Sequence, residues 1–220
     1  MFDAISPRYD LMNRLMTIGR DQRWRRLAVA MADLRPGDRA LDVATGTGDM
    51  AQALAAMVTP GGEVVGIDIA AGMLELARRK LRGLPVRLEQ ADVQQLQAHE
   101  EFAAATVAFG LRNFADRRAG LEAMIRALRP GGRLVVLELV PTQGPAKPLT
   151  MLCERRILPL LGRVVARNGA AYAYLPESIE RSLTTPQMEA LFRDCGLVDI
   201  RSRRLNLGTV AIVAGVKPHG

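Results

Sequence analysis

Aromatic residues make up only 4% of this chain, and lysine occurs only at positions 80, 147 and 217. So few rings exclude a basic patch interleaved with stacking side chains, and nucleic acid is not an expected partner. Cys153 and Cys195 stand alone, without CxxC spacing or neighbouring histidines. That pattern excludes a thiolate metal centre and fits reduced thiols in a cytoplasmic protein; no metal is expected. Of the two histidines, His99 falls in a polar connection and His219 in the tail, so neither is well placed as a general base. No apolar run approaches about eighteen residues, so no membrane-spanning helix is expected. The Met1-Phe2-Asp3 opening also lacks the basic-then-apolar layout of a secretory signal.

What is present is a 220-residue chain that is 49% hydrophobic, enough to bury a substantial core in a single domain spanning 1–220. Its net charge is +7, and nearly all the positive charge is arginine. Such a balance permits attraction to an anionic membrane surface or to nucleic acid and selects neither. An arginine-rich compositional bias explains it equally well.

Hydrophobic periodicity alternates along the chain. Residues 3–35 read as helix in two pieces, the first carrying Tyr9, Leu11, Met12, Leu15 and Met16, the second Trp24, Leu27, Ala28 and Met31. Pro36-Gly37-Asp38 breaks the pattern. Strands are then expected at 39–44, 63–68, 85–89, 104–109 and 133–138, alternating with helices at 49–58, 71–82 and 116–128. That alternation implies parallel βαβ units, with a ligand site beyond the carboxyl ends of the strands. A last sheet-packing helix is expected at 186–195, followed by a hairpin of strands at 198–205 and 209–216 around Asn206-Leu207-Gly208.

The run Leu41-Asp42-Val43-Ala44-Thr45-Gly46-Thr47-Gly48-Asp49 delivers an acidic residue and a glycine-rich turn to a helix start. Gly46 and Gly48 let backbone approach a small charged cofactor closely. A lone Gly-Thr-Gly is weak, since nicotinamide and flavin enzymes use related turns. Its neighbours sharpen it. Asp68 ends the second strand about 20 residues on, where a carboxylate can accept from both ribose hydroxyls. Asp92 follows the third strand, where a polar residue can meet an adenine edge. The turn Leu128-Arg129-Pro130-Gly131-Gly132-Arg133-Leu134 before the fifth strand is typical of methyltransferases that use S-adenosylmethionine. Plainer roles stand beside these: Asp42 as a cap or turn holder, Thr47 as a turn residue, and Asp49 as an acid favouring the helix dipole.

The chain then becomes more specific. Phe2-Asp3-Ala4-Ile5-Ser6-Pro7-Arg8-Tyr9-Asp10-Leu11-Met12-Asn13, Ala108-Phe109-Gly110-Leu111-Arg112-Asn113, Ala171-Tyr172-Ala173-Tyr174-Leu175-Pro176-Glu177-Ser178-Ile179 and Gly208-Thr209-Val210-Ala211 together resemble the menaquinone and ubiquinone biosynthesis C-methyltransferase family. The resemblance implies an α/β fold of the class I, Rossmann-like methyltransferases that use S-adenosylmethionine. Such a fold has a mostly parallel seven-stranded sheet flanked by helices, with a helical cap at 1–35 and a helical lid insertion at 145–185. It implies ring-carbon methylation of a reduced polyprenyl quinone, demethylmenaquinol or the corresponding benzoquinol. By matching motif, Thr47, Asp68, Asp92 and Val93 would contact the cofactor, and Asp42, Gly46 and Gly48 of the turn are expected to bind it as well.

Such chemistry needs in-line placement and help for phenolate formation more than a covalent nucleophile. Tyr9, Arg112 and Asn113 are the residues expected to orient the quinol, with Arg112 facing the developing phenolate. A salt bridge that merely shapes the pocket is the alternative for Arg112, and plain packing is the alternative for Tyr172 and Tyr174. Glu138 ranks behind Arg112. Between Leu149 and Arg167, apolar residues interleave with Arg155, Arg156, Arg163 and Arg167, which suits either contact with anionic lipid at the inner face of the membrane or an ordinary lid helix. His99-Glu100-Glu101-Phe102-Ala103-Ala104-Ala105-Thr106 and Glu180-Arg181-Ser182-Leu183 depart from the family pattern, and relatives carry further residues before the Met-Phe opening. Two competing readings follow: a methyltransferase for a soluble phenol, and a non-catalytic scaffold that binds S-adenosylmethionine within a quinone-synthesis assembly.

Overall fold

The computed structural model describes residue 17 and residues 19–142 and 178–219. Tyr9, the first helical piece through residue 16, Cys153, the basic stretch 149–167, and Tyr172 and Tyr174 lie outside the described residues. Helix α1 (Asp21–Met31) leads into β1 (Arg39–Val43), α2 (Asp49–Val58), β2 (Glu63–Asp68), α3 (Ala71–Lys80) and β3 (Val86–Gln90). After β4 (Phe102–Ala108) come α4 (Arg117–Ala127), β5 (Leu128–Leu139), α5 (Thr185–Asp194), β6 (Val198–Leu205) and β7 (Val210–Val216).

The strands form one seven-stranded sheet in the order β3-β2-β1-β4-β5-β7-β6. The first five pair in parallel, whereas β7 runs antiparallel to β5, and β6 antiparallel to β7. From β1 the chain builds outward to β3, then returns to place β4 on the other side of β1. The crevice at the carboxyl ends of β1 and β4 is therefore the switch point of the sheet.

Strand alternation sends Leu41, Val43, Val65 and Ile67 to one face, where they pack with Leu121 and Met124 of α4 and Met188 and Phe192 of α5. Ala40 and Val64 go to the opposite face, against Trp24 and Ala28 of α1 and Met50 and Leu54 of α2. Both faces are thus buried, as parallel sheets require. Local signals set the helix starts. Asp116 accepts from the Ala119 amide at 3.0 Å to cap α4. Thr184 and Gln187 form a reciprocal capping box at α5, with Pro186 in its first turn.

Several strand bounds differ from those expected. β4 begins at Phe102, two residues early, because Ala103, Ala104 and Ala105 are all buried between neighbouring strands. Small side chains weaken intrinsic strand preference, but register against β1 overrides it. The 99–106 departure therefore leaves a regular strand in place. β5 extends back through the Pro130-Gly131-Gly132 turn, since Leu128 pairs with Phe102 across a register shift. The polar connection after β3 contains a 3₁₀ turn, Val93–Gln95.

Candidate active site

Four chain segments meet at the switch point. Ala44 and Gly46 follow β1, Asp68 closes β2 with Ile69 after it, Ala91 to Gln94 follow β3, and Ala108 closes β4 ahead of Phe109 and Gly110. With Arg112, Asn113 and Phe114 they line a cavity of about 240 Å³. Of the residues expected at the cofactor, Gly46, Asp68, Asp92 and Val93 face this cavity, and Arg112 and Asn113 form its other wall. Asp42, Thr47 and Gly48 do not line it.

The glycine-rich turn divides into two kinds of position. Gly46 has φ +56°, and a Cβ there would meet nothing within 4 Å. Gly48 has φ +87°, but a Cβ there would lie 2.6 Å from Leu81 Cδ1. Open space at Gly46 is room for a ligand, whereas Gly48 is required by helix packing. Of the two glycines expected at the cofactor, Gly46 alone borders the cavity.

Asp68 is tied to that turn. Its Oδ2 accepts from the Gly46 amide at 2.8 Å, and its Oδ1 accepts from the Ala70 amide at 2.9 Å. Each carboxylate oxygen retains a further lone pair for a hydroxyl donor. Asp68 therefore has a structural task that its sequence position does not reveal. Asp92 caps the 3₁₀ turn by accepting from the Gln94 amide at 2.9 Å.

Asp42 lies beneath the turn, 1% exposed. It accepts from the hydroxyls of Thr45 at 2.6 Å and Thr106 at 2.7 Å. Thr106 is its direct neighbour on β4. Burial pushes the Asp42 carboxyl up to about 6, against the opposing pull of the two hydroxyls and the Arg25 guanidinium. Thr47 is also buried, and its hydroxyl receives Lys80 Nζ at 3.3 Å.

On the opposite wall Arg112 and Glu138 are joined. Arg112 Nη1 donates to Glu138 Oε1 at 2.6 Å, and the Arg112 amide donates to Oε2 at 3.1 Å. Nη1 also donates to the Phe109 carbonyl at 2.6 Å. Arg112 Nε is buried and has no hydrogen-bond partner. The salt bridge weighed as an alternative for Arg112 is therefore present, and it coexists with a donor still in need of an acceptor. Glu138, ranked behind Arg112, does not itself line the cavity; it holds Arg112 from the end of β5, next to the end of β4.

Backbone conformation is unusual at this rim. Ala44 and Phe109 adopt φ of +53° and +59°, directly after β1 and β4. Side-chain-bearing residues in this region cost of order 1–3 kcal/mol and cluster at functional sites.

A carboxylate closing β2, an open glycine turn after β1 and this strand order define a class I methyltransferase that uses S-adenosylmethionine. The donor set suits that cofactor: Asp68 has free lone pairs that would accept ribose hydroxyls, Asp92 lies beside apolar Val93 and Ile69 where a purine would fit, and the space beside Gly46 is open. A solved methyltransferase of this kind from Aquifex aeolicus superposes with a TM-score of 0.65 at 18% identity, covering 94% of this chain and 97% of its own.

Residues 1–217 match the ubiE/COQ5 methyltransferase family, and the chain belongs to it. It is 46% identical to the demethylmenaquinone methyltransferase of Thermus thermophilus, over 99% of this chain and 100% of that protein. It is 42% identical to the ubiquinone/menaquinone biosynthesis C-methyltransferase UbiE of Desulfotalea psychrophila, over 99% of this chain and 89% of that one.

Proposed function

We propose that this enzyme methylates a ring carbon of a reduced polyprenyl quinone, with demethylmenaquinol as its principal acceptor. The names of its relatives in Thermus thermophilus and Deinococcus radiodurans support the naphthoquinol over the benzoquinol. The observation that carries the reading is the pairing of two unlike walls around one cavity: Asp68 on one side, Arg112 on the other.

Bound S-adenosylmethionine supplies an electrophilic methyl group on sulfur. The acceptor's ring carbon becomes nucleophilic when the neighbouring hydroxyl loses its proton. Arg112, held by Glu138 and the Phe109 carbonyl, lines the acceptor wall, and its fixed positive charge stabilises the developing phenolate. Asn113, exposed at the same wall, orients the ring. Tyr9, which lies outside the described residues, takes an orienting role in this reading from its sequence motif alone. Asp68, Gly46, Asp92 and Val93 hold the cofactor; Thr47, Asp42 and Gly48 fix the turn that presents it.

The test uses purified enzyme, S-adenosylmethionine, short-tailed demethylmenaquinol and a series of soluble phenols, with products read by mass spectrometry. A gain of one methyl group on the naphthoquinol ring supports the reading. Equal or faster turnover of soluble phenols, or donor binding with no quinol methylated, overturns it.

Contact with the membrane surface belongs to the same proposal, because the acceptor's tail resides there. The basic, apolar run from Leu149 to Arg167 supports it. Flotation with anionic liposomes at low salt is the measurement, and an enzyme that stays entirely in the soluble fraction removes this part.

A further inference from the structure

Helix α1 carries two adjacent side chains that reach the rim of the cavity from behind. Trp24 meets the Phe109 ring edge-on with centroids 6.4 Å apart, and the Arg25 guanidinium lies 5.5 Å from the centroid of the same ring. Arg25 also donates to Asp21 at 2.7 Å and reaches Asp49 at 3.9 Å. Asp49 opens α2 directly after the glycine-rich turn, and it binds Lys80 at 2.7 Å and Gln22 at 3.3 Å. Lys80 in turn reaches Thr47 in that turn. The Phe109 carbonyl meanwhile holds Arg112 Nη1 at 2.6 Å.

One buried arginine therefore touches both sides of the site. Through Asp49 it reaches the turn that presents the cofactor, and through Phe109 it reaches the residue that anchors Arg112. Phe109 sits at φ +59°, a conformation that a bulky side chain keeps only when its surroundings hold it. A guanidinium over the ring and an indole in T-shaped contact with it supply that hold.

We infer that Arg25 is a positioning residue that couples the cofactor turn to the acceptor wall. The acceptor half of this inference rests on the proposal that Arg112 faces the quinol; the cofactor half does not. Substitution separates the two arms. Arg25→Gln removes the charge beside Asp21 and Asp49 and most of the attraction to the ring. Arg25→Lys keeps a charge for the carboxylates but lacks the flat guanidinium over Phe109. Phe109→Leu removes the ring and leaves the backbone carbonyl.

The test measures S-adenosylmethionine affinity by calorimetry without acceptor, and kcat and KM with short-tailed demethylmenaquinol. Trp24 is the sole tryptophan, so its emission reports directly on this contact when cofactor is added. Arg25→Gln is expected to weaken cofactor binding about tenfold and lower kcat by a similar factor. Arg25→Lys should recover cofactor affinity to within about threefold while kcat stays low, and Phe109→Leu should share that pattern. The double variant Arg25→Lys, Phe109→Leu should be no slower than either single one, since coupled residues are not additive. Wild-type affinity, kcat and cofactor-induced Trp24 response in folded Arg25→Gln and Arg25→Lys enzyme would overturn the inference. Additive losses of kcat in the double variant would overturn the acceptor arm. Should quinols not be methylated even by the wild type while Arg25→Gln still weakens cofactor binding, the proposed acceptor fails and the cofactor arm stands.

Discussion

Arg112 and Glu138 act as one unit at the end of adjacent strands. Their side chains meet at 2.6 Å, Glu138 is 1% exposed, and the same carboxylate receives the Arg112 and Leu139 amides. Removing one member of such a buried pair leaves the other charge unpartnered and costs about 3–5 kcal/mol.

Glu138→Gln keeps the volume and one acceptor but removes the charge that fixes the guanidinium. The expected result is a fall in kcat of about tenfold to a hundredfold, or about 1.4–2.8 kcal/mol of transition-state stabilisation. Affinity for S-adenosylmethionine should be unchanged, because Glu138 does not line the cofactor wall. Steady-state kinetics beside calorimetry separate the two, and a variant that loses cofactor binding with kcat intact would contradict this assignment.

Asp68→Asn tests the opposite wall. An amide oxygen can accept from Gly46 or from Ala70 but not as an anion from both, and the amide nitrogen is a donor facing a donor. Cofactor affinity should drop about a hundredfold, with the thermal midpoint lowered as the turn loses an anchor. Retention of full affinity would remove Asp68 from the cofactor site.

The buried Asp42 carboxyl gives a pH prediction with a definite sign. Burial raises it from the ordinary 3.8 to about 6 in the folded protein. Between those values the folded state holds a proton that the unfolded chain has released, so stability falls as pH rises through that window. The loss amounts to about 3 kcal/mol at most. Asp42→Asn lacks this titration. Its stability relative to wild type should therefore improve between about pH 4 and pH 6, measured by urea unfolding at each pH. A difference that does not change with pH would refute the assignment.

Much of this site was legible because its signals are local. Asp68 stands at the end of an apolar run, and Gly46 and Asp92 follow strands that alternate with helices, so strand order alone carries them to one crevice. What escaped depends on pairings between distant segments. Arg112 and Glu138 are 26 positions apart, and only the adjacency of β4 and β5 joins them. Asp42 meets Thr106 for the same reason, through the β1–β4 register. The early start of β4 was hidden because three successive alanines carry little preference of their own and take their conformation from neighbouring strands. Nothing in the sequence singles out Arg25; its role exists only once α1 is laid against Phe109.

The two glycines of the turn provide the sharpest separation of fold from function. Both have positive φ, so alanine strains either one by about 1 kcal/mol. At Gly48 the added methyl also meets Leu81 at 2.6 Å, an overpacking that typically costs a further 1–3 kcal/mol or so. At Gly46 it meets no protein atom and intrudes on the cavity instead. Gly48→Ala is therefore expected to lower the thermal midpoint more than Gly46→Ala does. Gly46→Ala should weaken S-adenosylmethionine binding by at least about tenfold in a protein that remains folded. The reverse ranking in calorimetry and thermal melts would mean that the cofactor's amino-acid end does not rest on Gly46, since open space beside a backbone amide bonded to Asp68 is the physical basis for placing it there.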